Sequence, residues 1–143
     1  MKKIAIIYWS GTGNTRLMAE SLAKGAKLAQ VTVEIFDISK NRPKTLGGYD
    51  GLLLGCPSMG AEVLEESEFE PYYEGIKQEL KGKPIALFGS YGWGNGEWLQ
   101  NWEDDIETVG AKLFEVGLMV NETPDQEAIA NCEAFGRRFA SSL

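Results

Sequence analysis

Ser10-Gly11-Thr12-Gly13-Asn14-Thr15 follows an apolar run, Ile4-Ala5-Ile6-Ile7-Tyr8, and leads into a helical pattern beginning near Arg16. The run reads as a buried β-strand, so the six residues form a strand-to-helix turn. Two glycines let the backbone curl until successive N–H groups converge, and three hydroxyls and an amide offer further donors. The helix N-terminus behind them adds about half a unit of positive dipole charge. No Lys or Arg lies within the six. The implied ligand is a terminal phosphate monoester held by neutral donors. The same residue types also build an ordinary polar turn with a helix cap. A triphosphate-binding loop would need Gly-Lys-Ser/Thr where the chain has Asn14-Thr15-Arg16, and the dinucleotide fingerprint would need a third glycine at Arg16.

Read outward, the chain repeats this strand-turn-helix unit. Leu17, Met18, Leu22 and Ala26 mark a helical face ending near Ala29, Val31–Phe36 alternates as a strand, and Asp37–Gly48 is a polar connection containing Pro43. Leu52–Cys56 is continuously apolar, the pattern of a central parallel strand, and runs into Pro57-Ser58-Met59-Gly60-Ala61-Glu62. Phe69, Tyr72, Tyr73, Ile76 and Leu80 recur at helical spacing. Pro84–Phe88 is a fourth strand, opening into Gly89-Ser90-Tyr91-Gly92-Trp93-Gly94-Asn95-Gly96, and Trp98, Trp102, Ile106 and Val109 face inward from the next helix. Lys112–Val120 supplies a fifth strand interrupted near Gly117. The last helix is expected to start with Thr123 as hydroxyl cap, Pro124 at its first helical position and Gln126 completing a capping box, and to bury Ile129, Cys132, Phe135 and Phe139. Such β-α repetition predicts an α/β fold, a doubly wound parallel sheet with helices on both faces. Ligands of these sheets bind beyond the carboxyl ends of the strands. The glycine-bearing loops after strands one, three and four all fall at that edge.

Composition narrows the function. The 143 residues have the length of one domain, 1–143. Histidine is absent, which removes the usual general base, the Ser-His-Asp arrangement and the commonest transition-metal ligand, so neither catalytic residues nor metal ligands are assigned. Net charge of −7, from 14 basic and 21 acidic residues, argues against nucleic acid. No apolar run approaches the roughly 20 residues of a membrane span, and the run after Met1-Lys2-Lys3 is too short for a signal peptide. A cytoplasmic location away from the membrane is expected. Cys56 and Cys132 lack any CxxC pairing and read as buried thiols.

The second and third loops carry large, polarisable side chains. Gly92-Trp93-Gly94 is too pliant a backbone to fix an indole unaided, and a flat aromatic ligand would supply the missing surface, with stacking worth about 0.5–1.5 kcal/mol beyond area burial. Met59 suits the opposite face through its sulfur, and equally suits filling a gap in a core. Gly60, at the first central position of a Met59-Gly60-Ala61-Glu62 turn, permits φ > 0 and a type II′ geometry that presents its carbonyl to a ring nitrogen. Glu62 either accepts from a ring imide N–H or is a solvated member of an acidic run.

These residues resemble the short-chain flavodoxins, clostridial type, over essentially the whole chain. The resemblance rests on Tyr8-Trp9-Ser10-Gly11-Thr12-Gly13-Asn14-Thr15, on Met59-Gly60 with Glu62–Glu68, and on Gly89–Gly94. It implies a flavodoxin-like five-stranded sheet of order 2-1-3-4-5 with non-covalently bound FMN at its switch point, for which that family is the type example. By resemblance, Ser10–Thr15 take the phosphate, Met59 and Trp93 flank the isoalloxazine, and Glu62 binds N3–H. Pro57, Ser58, Ala61, Ser90, Tyr91, Gly92 and Gly94 complete the expected contacts. The carbonyl of Gly60 is expected to flip on one-electron reduction and accept the new N5–H bond. The function implied is a low-potential one-electron carrier shuttling between semiquinone and hydroquinone, not an enzyme.

From Glu62 to Glu107 the chain counts 12 acidic and 3 basic residues, a net −9. That field opposes a second electron and steers redox partner proteins with basic docking surfaces, although an acidic run is also a plain solvated helix face. Arg16 and Pro57 stand where relatives have an acidic residue and a serine. An FMN-dependent NAD(P)H:quinone reductase usually adds chain for oligomerisation and a nicotinamide site; neither is recognised here, and a monomer is expected. Gly92-Trp93-Gly94 argues against a flavodoxin-like activator of ribonucleotide reductase. A receiver domain needs acidic residues after strand one and an Asp after strand three, where the chain has Tyr8-Trp9 and Gly55-Cys56.

Overall fold

The computed structural model describes residues 1–143. In chain order its elements are β1 (Lys3–Tyr8), α1 (Asn14–Lys27), β2 (Thr32–Asp37), β3 (Gly51–Gly55), α2 (Phe69–Ile76) continued by a 3-10 turn at Lys77–Glu79, β4 (Pro84–Tyr91), α3 (Glu97–Thr108), β5 (Lys112–Leu113), β6 (Leu118–Asn121) and α4 (Gln126–Ser141). The sheet is parallel throughout, in the order β2-β1-β3-β4, with β5 and β6 sharing the edge position beside β4. This is the expected 2-1-3-4-5 order with its last strand broken.

The break has a simple cause. From Pro84 to Phe88 β4 advances four residues, while its partners Lys112 and Leu118 are six apart, so two extra residues bulge out of the edge. Glu115 turns there with φ +52°, and Arg138 of α4 grips its carboxylate through Nε at 3.2 Å and Nη2 at 3.1 Å. Glu103 of α3 accepts the Gly117 N–H at 2.6 Å.

Successive residues of the central strands face opposite layers. Ile4, Ile6, Leu53 and Phe88 pack with Met18 and Leu22 of α1 and Cys132, Phe135 and Phe139 of α4. Ala5, Ile7, Leu52, Leu54 and Leu87 pack with Phe69 and Tyr73 of α2 and Trp98, Trp102 and Ile106 of α3. Burial on both faces explains the unbroken apolar runs, each large side chain contributing roughly 1.5–3 kcal/mol of transfer free energy. Helices α1 and α4 approach closely because Gly25 faces the Glu133 carbonyl and Gly136 faces that of Leu22, where no Cβ fits. Burial pushes the Cys132 thiol up to about 12 and the Cys56 thiol further, so both stay neutral. No helix is long and apolar enough to cross a membrane.

Two helix starts differ from expectation. Helix α1 begins at Asn14, two residues early, with Gly13 as its left-handed cap at φ +98°. The cap of α4 is Asp125, not Thr123: its Oδ1 accepts the Ala128 N–H at 2.8 Å. A carboxylate gains from the helix dipole where a hydroxyl does not. The Thr123 hydroxyl donates instead to Asn14 Oδ1 at 3.1 Å, and Pro124 is buried ahead of the helix. Ile129 is only half-buried.

Candidate cofactor site

Strands β1 and β3 end level, Tyr8 beside Gly55, while β4 passes Gly55 at Phe88 and runs on to Tyr91. The ladder continues briefly: the N–H groups of Trp9, Cys56 and Ser58 donate to Gly55, Phe88 and Ser90 carbonyls at 3.1, 3.1 and 3.0 Å. Three loops therefore leave one sheet edge together. They enclose a cavity of about 300 Å³ lined by Trp9, Gly11, Thr12, Asn14, Pro57, Ser58, Met59, Ser90, Tyr91, Gly92, Trp93 and Glu122. A smaller cavity of about 200 Å³, between Val63-Leu64, α2 and α3, contains no residue of the first or third loop.

The 10–15 loop is shaped by its own side chains. Ser10 Oγ accepts from Gly13 N at 3.1 Å and Arg16 N at 3.2 Å, and Thr12 Oγ1 from Asn14 N at 3.5 Å. Buried Thr15 ties this loop to the third, its Oγ1 lying 2.9 Å from Ser90 Oγ. The N–H groups of Ser10, Gly11, Thr12 and Thr15 have no protein acceptor. Free donors at a helix N-terminus are the usual makings of a phosphate site.

At the other end Trp93 is 61 % exposed, too open for a core anchor. Gly60 has the expected positive φ, +52°, but the turn closes one residue later than a type II′ turn would. Met59 and Val63 exchange both N–H···O bonds at 2.9 Å, leaving a three-residue loop in which Glu62 also has positive φ, +56°. Glu62 Oε1 accepts from Gly96 N at 3.3 Å and Glu97 N at 3.2 Å, the first donors of α3, and the carboxylate lies against Gly94.

The structure thus gathers ten of the anticipated residues around the cavity. Ser10, Gly13, Thr15, Gly60, Ala61, Glu62 and Gly94 do not line it. Trp9, quoted above within the Tyr8–Thr15 motif, and Glu122 line it without having been assigned a contact. Trp9 was detectable as the residue directly after strand one, already at the carboxyl edge. Glu122 had no local signal: it arrives because β6 runs alongside β4, where its N–H donates to Tyr91 O at 2.7 Å with φ +57°.

FMN fits these residues. The phosphate end offers unpartnered N–H donors, the other end an exposed indole and a thioether, and the buried Ser58 hydroxyl between them has no protein partner. A buried polar atom without a partner costs about 1–3 kcal/mol unless a ligand or water satisfies it.

A sequence model of the flavodoxin family matches residues 6–136. The flavodoxin of Clostridium beijerinckii is 46% identical over 136 residues, covering 95% of this chain and 98% of its own. The solution structure of two-electron reduced Megasphaera elsdenii flavodoxin superposes with a TM-score of 0.86 at 40% identity, over 98% of this chain and 99% of that one. Oxidised Flavodoxin 1 from Bacillus cereus gives 0.88 at 28% identity over 99% of each. With its sheet order, its cavity and its sequence in accord, the chain belongs to the flavodoxin family, whose members carry electrons on bound FMN.

Proposed function

We propose that residues 1–143 act as one FMN-binding unit passing single electrons between protein partners at low potential. The observation that carries this reading is the meeting, in one cavity, of the 10–15 loop with its unpartnered N–H groups and the exposed Trp93 indole. FMN bound there supplies a ring able to hold one electron or two. In our reading Gly11, Thr12, Asn14 and Thr15 donate to the phosphate, while Ser10 and Gly13 keep the loop in shape. Met59 and Trp93 cover the two ring faces, a role supported by their positions on separate loops lining the cavity. Pro57, Ser58, Ala61, Ser90, Tyr91, Gly92 and Gly94 complete the surroundings. Glu62 Oε2 has no protein partner, which leaves it available to a ring N–H while Oε1 caps α3. Open space around Gly60, with no heavy atom within 4 Å of where a Cβ would stand, lets its peptide reorient and its carbonyl accept from a protonated ring nitrogen.

Charge supports the partner reading. Residues 62–107 hold 12 of the 21 acidic residues and 3 of the 14 basic ones, leaving 9 acidic and 11 basic elsewhere. The negative field therefore surrounds α2, α3 and the ring-side loops. It opposes addition of a second electron and suits redox partners with basic docking surfaces, raising association rates more than affinity.

Anaerobic reductive titration of the FMN-loaded protein tests this. Two separate one-electron steps are expected, with a long-wavelength absorption band between them and the second step at lower potential. Bleaching in one two-electron step by NAD(P)H alone would favour a reductase. Failure to take up FMN would overturn the cofactor assignment.

A further inference from the structure

Glu68 belongs to the acidic run whose obvious reading is solvated surface, yet its Oε1 accepts the Trp9 indole N–H at 3.0 Å. This half-buried bond joins the segment before α2 to the first residue after β1. Trp9 lines the cofactor cavity, and its Cη2 and Cζ3 atoms lie 3.0 and 3.2 Å from where a Cβ on Gly11 would stand. The indole is thus the surface on which the 10–15 loop rests. Glu68 is itself held. Glu65, only 6 % exposed, accepts the N–H groups of Ser67, Glu68 and Phe69, each at 2.8 Å, together with the Ser67 hydroxyl. The Glu65 N–H donates in turn to Cys56 Sγ at 3.3 Å, at the end of β3.

We infer that Glu68 is a positioning residue for the cofactor: its bond to Trp9 fixes the indole beneath the 10–15 loop and presets the phosphate end of the cavity, with Glu65 as the buried anchor. The inference rests on the FMN reading above. It also separates two effects of one carboxylate. As a negative charge, Glu68 opposes binding of an anionic ligand; as a hydrogen-bond acceptor for Trp9 it favours binding, and Glu68→Gln separates the two.

The test compares FMN dissociation constants of the wild type, Glu68→Ala, Glu68→Gln, Trp9→Phe and the Glu68→Ala/Trp9→Phe double variant. Near-UV circular dichroism of each apoprotein reports indole order. Glu68→Ala and Trp9→Phe are each expected to weaken binding about tenfold, the loss of one charge-assisted hydrogen bond. The double variant is expected to be no worse than either, the mark of a shared interaction. Glu68→Gln, which keeps an acceptor oxygen, is expected to bind within about threefold of the wild type and to retain the near-UV signal. Glu68→Ala binding as tightly as the wild type, Glu68→Gln losing as much as Glu68→Ala, or additive losses would each overturn the inference. If Glu68→Ala misfolds, Glu68→Met, close to glutamate in size but without an acceptor oxygen, decides the matter: loss of FMN affinity like that expected of Glu68→Ala supports the inference, and wild-type affinity overturns it. A wild type that takes up no FMN overturns both readings, whereas tight wild-type binding with additive losses overturns this one alone.

Discussion

The hydrogen bonds accepted by Ser10 and Thr12 span no more than six residues, whereas those accepted by Glu62 span 34 and 35. The first end is a loop whose turn is set by its own side chains and which is then tied to distant segments at Thr15–Ser90 and Trp9–Glu68. The second is a composite: Ser58 reaches Ser90, Glu62 reaches Gly96 and Glu97, and Glu122 reaches Tyr91, so it exists only once the strands are in register. Positive φ at Gly60, Glu62, Gly94 and Gly96 gathers at this composite end, against Gly13 alone in the 10–15 loop. A phosphate needs fixed donors throughout the redox cycle, while a ring that gains electrons and protons needs a surround that can adjust.

The local end is the more sensitive of the two to substitution. Gly11→Val pushes a branched side chain against the Trp9 ring and into the cavity, and FMN affinity is expected to fall on the order of a hundredfold. Fluorescence titration of the apoprotein checks this, and Gly11 is exposed enough that the melting temperature should barely move.

Next in size is Glu65, which anchors the segment beyond the ring-side loop. Burial alone would raise its carboxyl, but hydrogen bonds from Ser67, Phe69 and Glu68 outweigh burial and hold it below its ordinary value of 4.5. A lowered folded pKa contributes stability that is complete above 4.5 and is lost as the pH falls through the folded value. Glu65→Gln should therefore lose about 2 kcal/mol at pH 7, measured by urea unfolding. The gap to the wild type should close in acid; a gap independent of pH would contradict the carboxylate's role.

In our reading Trp93→Ala removes a ring cover, and it takes nothing from the core. FMN binding should weaken about tenfold, with apoprotein stability unchanged because the indole is 61 % exposed. A drop in the melting temperature of the apoprotein would show instead that Trp93 packs against the protein.

The smallest effect sharpens the composite end. Glu62→Ala leaves the first donors of α3 uncapped, a loss of about 1 kcal/mol or roughly 3 °C in melting temperature. Glu62→Gln should recover most of it. Because Oε1 and Oε2 serve different partners in our reading, Glu62→Ala should also weaken FMN binding, and an effect on stability alone would restrict Glu62 to its cap.

Much of this was legible in the residues themselves. The alternation of apolar runs and helical stripes, the glycines of the 10–15 turn and the Gly92-Trp93-Gly94 tip lie within windows of a few residues, and short-range physics decides them. The cap of α4 shows where that stops: Thr123 and Asp125 are both good N-caps, and the choice between them depends on where β6 releases the chain.

By itself, then, the sequence determined the strands and helices, the edge at which the three loops gather and the glycine- and hydroxyl-rich turn of the first. Only the tertiary structure decided that Trp9 and Glu122 face the cavity, that Glu62 reaches α3, and that Glu65 is buried while neighbouring Glu66 is exposed. The carboxylates of the 62–70 run are chemically alike. What distinguishes them is which backbone N–H groups and side chains from distant segments come within hydrogen-bonding reach, and the sheet register sets that.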